Sequence, residues 1–271
     1  MLIRGDSTLL DPRPVHTRIA KRLLLGKWIP RFNRYLTVGK LNEKFYESYG
    51  ADPNRFVPVR HFVDNESFAS RARHERTRRA ELRGAWGIDE SAVVFLFAGK
   101  LMQKKKPVDA VRALARLNGR QRNAHLLIAG EGELREECSA AAAKLGVRVS
   151  FAGFLNQSRM PEAYAAADVL VLPSAYQETW GLVVNEAMAA GLPAIVSDRV
   201  GCAPDLIIPG ETGEVFPAGD IDAFASKMQK YVDSPEEIRR QGARAAEHIS
   251  GYSLEAATEN TVRAIVDVSS R

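Results

Sequence analysis

The sequence predicts an α/β protein built on a doubly wound parallel sheet. Two observations carry this expectation. From residue 93 onward, short apolar runs alternate with segments of helical period: 93–98, 106–117, 124–129, 134–145, 147–152, 160–166 and 168–172. The runs are apolar at consecutive positions, as in Val93-Val94-Phe95-Leu96-Phe97-Ala98. A strand buried on both faces needs this pattern, and alternation with helices gives parallel pairing. Ligands bind such sheets at the carboxyl ends of the strands. The loops after Ala98, Ala129, Ala152 and Leu172 are therefore the ones to read.

Bulk properties narrow the function. The chain has 271 residues, 45% of them hydrophobic, with a net charge of +5. That is room for one large or two modest domains, and the mild positive excess suits an anionic ligand or membrane surface without requiring nucleic acid. The two cysteines, Cys138 and Cys202, have neither metal nor redox spacing. They read as small buried apolar residues, so a reducing cytoplasm is expected. No apolar run approaches the roughly 18 residues of a membrane span, and Arg4, Gly5 and Asp6 interrupt any secretory core.

In chain order, residues 1–3 read as the end of a strand. Residues 13–34 carry Arg13, Arg18, Lys21, Arg22, Lys27, Arg31 and Arg34, interleaved with Val15, Ile19, Leu23, Leu24, Trp28 and Ile29 and broken by Gly26 and Pro30. Such a basic amphipathic segment either docks a membrane surface or acceptor, or covers a neighbouring sheet with its cations in solvent. Strands are expected at 35–38 and 55–59, with a helix at 41–49 ended by Gly50, and 62–68 reads as a linker. His61 reads as structural. Arg71, Arg73, Arg76, Arg78, Arg79 and Arg83 form a charge run, with Glu75 placed to support a solvated helix. Without interleaved aromatics it offers no nucleic-acid platform. Beyond the central units come 205–208, a short strand at 214–216 and helices at 220–232, 235–249 and 254–268.

Chemistry concentrates in 168–197, DVLVLPSAYQETWGLVVNEAMAAGLPAIVS. It reads as strand, loop, helix and strand. Backbone amides near Trp180, Gly181 and Leu182 open the helix and present its positive end, an anion site that Gly181 lets a ligand approach closely. Glu178 before the helix and Glu186 within it would flank that anion and accept from hydroxyls. A phosphate between two hydroxyl-bearing groups describes a nucleotide sugar. The alternative is a solvated loop Glu and a surface helical Glu. The loop after Ala98, Gly99-Lys100-Leu101-Met102-Gln103-Lys104-Lys105-Lys106-Pro107, is either a cationic pocket for a diphosphate or a plain lysine run.

The stretch PSAYQETWGLVVNEAMAAGLPAIVS closely resembles the E-x7-E region of retaining glycosyltransferases of family 4, in the GT-B superfamily. The resemblance implies a GT-B type, Rossmann-like fold. It gives Glu186 the ribose hydroxyls of the donor and Glu178 the hydroxyls of the donor sugar. It puts Lys100 and Lys105 on the pyrophosphate, with Lys106 in adjacent register, and Lys100 stands where the family more often has Arg. Gly153-Phe154-Leu155 would receive the base, so Gly99, Leu155, Trp180, Gly181 and Leu182 complete the expected donor site. No metal and no cofactor are implied. Gly130-Glu131-Gly132-Glu133 resembles the family's G-x-G turn and reads as structural.

The phrase FNRYLTVGKLNEKFYESYGADPNRFVPVRHFVDNESF resembles the close of the family's first Rossmann domain. The implied organisation is a remnant of that acceptor-side domain at 1–68, a nucleotide-sugar domain at 69–250, and a helix at 251–271 returning to the first. A complete Rossmann domain takes about 100–150 residues, so the first is expected to be truncated, with a missing N-terminal half or self-association compensating. The expected activity is sugar transfer with retention to a glycan, lipid or small-molecule acceptor. A silent nucleotide-sugar module, half of a split enzyme, and a nucleotide-sugar epimerase are the alternatives. The expected location is cytoplasmic, with the basic segment suggesting peripheral contact at the inner membrane face.

Overall fold

The computed structural model describes residues 1–11, 14–117 and 123–270. Arg13 of the basic segment lies outside the described residues. The chain builds two parallel sheets. The larger has strands β4 (Val93–Ala98), β5 (Ala124–Ala129), β6 (Val149–Gly153), β7 (Val169–Leu172), β8 (Ala194–Ser197) and β9 (Gly213–Phe216), in the order β6-β5-β4-β7-β8-β9. All its pairings are parallel. This is the predicted doubly wound α/β sheet.

The unbroken apolar runs follow from burial on both faces. Val94, Leu96 and Ala98 of β4 point into one core with Leu170 and Leu172 of β7. Val93, Phe95 and Phe97 point into the other with Val169 and Val171. The first core is closed by α3 (Asn65–Arg76), α7 (Met160–Ala166), α8 (Leu182–Ala189) and α11 (Pro235–Ile249). The second is closed by α5 (Pro107–Leu114), α6 (Arg135–Leu145) and α10 (Ile221–Asp233).

The smaller sheet comprises β1 (Leu2–Arg4), β2 (Arg34–Thr37) and β3 (Phe56–Pro58), also parallel. One face packs Tyr35 against Ile29 and against Phe45 and Tyr46 of α2 (Lys40–Ser48). The other packs Leu36 and Val59 against Ala257 and Ala264 of α12 (Leu254–Ser269), and Asn260 Nδ2 donates to Pro58 O at 2.8 Å. Contacts described below join this sheet to the larger body.

Several expectations are corrected. Gly26 does not break the basic segment. The helix α1 (Val15–Trp28) runs through it, since one helical glycine costs only about 1 kcal/mol. Val15, Ile19, Leu23, Leu24 and Trp28 remain exposed, while Leu25 of the same helix packs on the core of the smaller sheet. Phe45 and Tyr46 are buried beneath the smaller sheet. The expected linker 62–68 already holds the start of α3, capped by Asp64 accepting from Ser67 N at 2.9 Å, and Phe68 belongs to the larger core.

The charge run 71–83 is not a single solvated helix. It divides between α3 and α4 (Arg79–Ala85), and three arginines turn inward. Arg76 donates to Ala190 O, Arg79 reaches the carbonyl of Ala167 and Asp168, and Arg83 is only 3% exposed. Residues 205–208 straddle the end of a short helix, α9 (Ala203–Leu206). Among the described residues no helix is long and apolar enough to cross a membrane.

Candidate active site

β7 delivers the chain into the loop 173–181, which carries Glu178 and then enters α8. The loop is fastened on both edges. Gly201 N donates to Glu178 O at 2.8 Å and Cys202 N to Trp180 O at 2.9 Å. Ala175 N donates to Lys104 O at 2.8 Å, and Lys104 Nζ to Gln177 O at 3.3 Å. Gly181 must be glycine. Its φ of 101° is left-handed, and a Cβ would lie 3.0 Å from Leu172 Cδ2 and 3.1 Å from Val200 Cγ1. Glu178 is the endpoint of this bracing. Its carboxylate forms an ion pair with Lys105 and accepts from Ser174 Oγ at 2.8 Å.

Glu186 borders a cavity of about 570 Å³ at the carboxyl ends of β4, β5 and β6. Gly99, Lys100, Leu155 and Val183 share its wall, and Phe154 stands exposed at its rim. The loops around it are stitched together. Gly99 N donates to Ala129 O at 2.9 Å and Gly130 N to Gly153 O at 2.8 Å. Gly130 has φ 149°, and a Cβ there would sit 2.0 Å from Gly99 O, so the turn reads as structural here too. Tyr164 OH, fully buried, donates to Glu186 Oε2 at 2.6 Å. Burial pushes the Glu186 carboxyl above its ordinary value, and the Tyr164 hydrogen bond pulls it partly back.

The two glutamates therefore sit in different surroundings: one beside a cavity and a phenol, the other in an ion pair. Lys100 lines the cavity, whereas Lys105 holds Glu178. Lys106 instead adopts a left-handed φ of 52° and caps α5. Trp180 turns its side chain towards the smaller sheet. Its indole Nε1 donates to Asn185 Oδ1 at 2.8 Å, and its ring lies 5.3 Å from that of His61. Val183 is among the cavity's wall residues, and the side chain of its neighbour Leu182 is 43% exposed. At the head of a helix successive residues point about 100° apart, so spacing identifies the segment but not which neighbour faces the ligand.

The smaller sheet closes the other side. A Cβ on Gly39 would meet the Trp180 ring at 2.5 Å, which is why the approach needs glycine. Asp205, its side chain 1% exposed, accepts from Lys40 N with both oxygens, at 3.2 and 3.0 Å, and from Arg60 at 3.0 Å. Asp6 accepts from Thr179 Oγ1 at 2.9 Å, and Asp11 from Gln177 N at 3.0 and 3.2 Å. Burial lowers the His61 pKa, and the ring packs against Trp180. Sequence reasoning missed Tyr164, Ser174 and Asp205. Ser174 stood in the quoted stretch, whereas Tyr164 and Asp205 had no local signal.

Comparison with known proteins agrees with this architecture. The family described as glycosyl transferases group 1 matches residues 78–248. A D-inositol 3-phosphate glycosyltransferase of Streptomyces griseus is 31% identical over 232 residues, 79% of this chain and 49% of its own. An alpha-D-kanosaminyltransferase of Streptomyces kanamyceticus is 33% identical over 183 residues, 66% of this chain and 47% of its own. The chain spans about half the length of the curated relatives it matches. Among solved structures, HepE of Anabaena in complex with UDP superposes with a TM-score of 0.81 at 17% identity, covering 98% of this chain and 72% of that one. A lipopolysaccharide outer core galactosyltransferase, WaaB, superposes with a TM-score of 0.70 at 23% identity, covering 87% and 62%. These likenesses show the fold, that of GT-B type glycosyltransferases.

Proposed function

The chain belongs to the glycosyl transferases group 1 family, and from that premise we propose that it binds a nucleoside-diphosphate sugar and transfers the sugar with retention of configuration. One observation carries the reading: a half-buried carboxylate, Glu186, shares a cavity of about 570 Å³ with Gly99, Lys100 and Leu155, while Glu178 stands apart in an ion pair. In this reading Glu186 takes the ribose hydroxyls and Leu155 borders the base. The first amides of α8, at Gly181 and Leu182, face the diphosphate. Lys100 and Lys105 stabilise charge growing on the leaving diphosphate, and no metal is invoked. Trp180 supports the loop from behind. Glu178 orients the sugar, and Lys105 has to divide its charge between that carboxylate and the phosphates.

Calorimetry with UDP, GDP, ADP and TDP, then with the corresponding nucleotide sugar, tests the division of roles. Glu186→Ala is expected to weaken nucleoside-diphosphate binding by about 1.5–3 kcal/mol, the worth of a hydrogen bond to a charged group. Glu178→Ala is expected to spare the plain diphosphate and to weaken the intact donor. Equal losses on the diphosphate from both variants would remove the assignment. Donor binding without turnover in any acceptor assay would favour a silent module.

The raised pKa of Glu186 gives a second expected result. Hydroxyl groups are accepted by the carboxylate, so nucleoside affinity should fall as pH drops through a value above the ordinary 4.5. Stability should run the opposite way. The folded state holds this proton more tightly than the unfolded chain, so the favourable contribution is present at low pH and lost as pH rises through the raised value. Glu186→Gln should flatten both curves. Nucleoside titrations are the right probe because they carry no phosphate to titrate; an unchanged pH profile in the Gln variant contradicts the assignment.

A further inference from the structure

Glu186 is held from behind by a group that no ligand in the cavity would touch. Helix α7 places two side chains near it, one turn apart. Met160, at the helix start, lines the cavity wall. Tyr164 lies a turn further on, fully buried and outside that wall. Its ring packs edge-on against Phe68 with centroids 6.3 Å apart, so the core fixes the direction of its hydroxyl.

A phenol buried among apolar groups needs a hydrogen-bond partner. The Tyr164 hydroxyl finds it in Glu186 Oε2 at 2.6 Å, 22 residues along the chain. The contact constrains the glutamate as much as the phenol. A long carboxylate side chain beside open space would otherwise spread over several rotamers. Oε2 is committed to Tyr164, whereas no described residue donates to Oε1. Glu186 is half-buried and borders the cavity, so Oε1 is the oxygen left for a ligand. The other titratable groups on that wall are Lys100 and Glu131, and Glu131 pairs with Arg135 at 2.9 Å.

We propose that Tyr164 is a positioning residue for nucleotide binding: it anchors Glu186 through Oε2 and thereby presents Oε1 to the cavity as a preorganised acceptor. The inference rests on the donor-binding reading of Glu186 and adds the residue that holds it. Fixing the acceptor before the ligand arrives removes an ordering cost from binding. The donated hydrogen bond also favours the ionised carboxylate, the form that accepts hydroxyls, against the burial that disfavours it.

The test titrates the full chain with uridine, guanosine and adenosine, each against its 2′,3′-dideoxy counterpart. Tyr164→Phe removes the hydroxyl and keeps the ring. Phe68→Leu loosens the packing on the ring and keeps the hydroxyl. Wild type is expected to prefer the ribonucleoside of the base it binds, and Tyr164→Phe should shrink that preference about three- to tenfold, the worth of one hydrogen bond. Phe68→Leu should lower stability and leave the preference unchanged. In a Glu186→Ala background Tyr164→Phe should have no further effect on it. A preference that survives Tyr164→Phe, falls equally in Phe68→Leu, or responds to Tyr164→Phe without Glu186 overturns the proposal. A second readout needs no ligand. The protonation of Glu186, followed by infrared difference against Glu186→Gln, should move to higher pH in Tyr164→Phe, because the donor to the charged form is gone. If wild type binds ribonucleosides and dideoxynucleosides alike, the ribose role of Glu186 fails. The ligand-free titration then decides: a shift upholds the anchoring by Tyr164, and no shift overturns it.

Discussion

Asp205→Ala is expected to destabilise the protein by about 3 kcal/mol and to reduce turnover while sparing nucleotide affinity. The carboxylate comes from α9 beside the larger sheet, yet it serves the smaller one. It takes the first amide of α2 and the guanidinium of Arg60. Loss of a helix cap costs about 1 kcal/mol, and removing one partner of a buried ion pair costs about 3–5. Arg60 is 27% exposed and can recover water, so the total should fall at the lower end. The effect on turnover follows from geometry. Asp205, with Gly39 packed on Trp180, sets the small sheet against the loop of Glu178, whereas the cavity around Glu186 is built without them. Urea denaturation and hydrogen exchange at the first turn of α2 check this. A loss below 1 kcal/mol, or nucleotide binding falling as far as turnover, would contradict it. Asp205→Asn keeps an acceptor for Lys40 N and should lie between.

Arg83→Ala is expected to be as damaging, at about 3–5 kcal/mol, although it removes one arginine from a run of six. The guanidinium satisfies Ala166 O at 2.9 Å, Glu90 O at 2.6 Å, Ala92 O at 3.0 Å and Asp168 Oδ2 at 2.7 Å. The same Asp168 oxygen accepts from Val94 N at 2.8 Å, so this one side chain ties the entry of β4 to the entry of β7. Arg79 would remain on Asp168, which limits the charge left unpaired, but the three carbonyls would lose their donor. Arg83→Lys should recover only part of the loss, because an ammonium cannot reproduce the planar fork. Arg73→Ala, at an exposed position of α3, should stay within about 0.5 kcal/mol. If denaturant midpoints show the two alanine variants to be alike, the burial of Arg83 has no energetic weight.

Legibility in the sequence followed the range of the interaction. Strands β4 and β5 were read with their bounds because β4 is apolar at all six positions and β5 at all but His125, and both faces of the sheet are indeed covered. The helix α7 was equally plain, and α8 was flanked by Gly181 and by Gly191-Leu192-Pro193. Segment 173–186 could be singled out because its glutamates, glycine and helix start lie within a few residues of one another. The arginine run was misread for the complementary reason. Helical spacing predicts which residues share a face, but not what stands opposite, and for Arg83 that is Asp168, 85 residues away.

By itself, then, the sequence determined the parallel α/β class, the loops at the strand ends, and the segment in which two carboxylates flank a helix start. Those are properties of local period and of hydrophobic burial, which each residue expresses with its near neighbours. The tertiary structure alone decided that Tyr164 backs Glu186, that Lys105 rather than Lys106 reaches Glu178, and that Trp180 supports the loop from the side of the small sheet. It also put Asp205 on α2. Each of these joins groups far apart in the chain or selects one direction from several that the backbone allows. Closure of a long loop is weakly dependent on its length, so distance along the chain carries almost no trace of such a contact, and only the packed arrangement selects it.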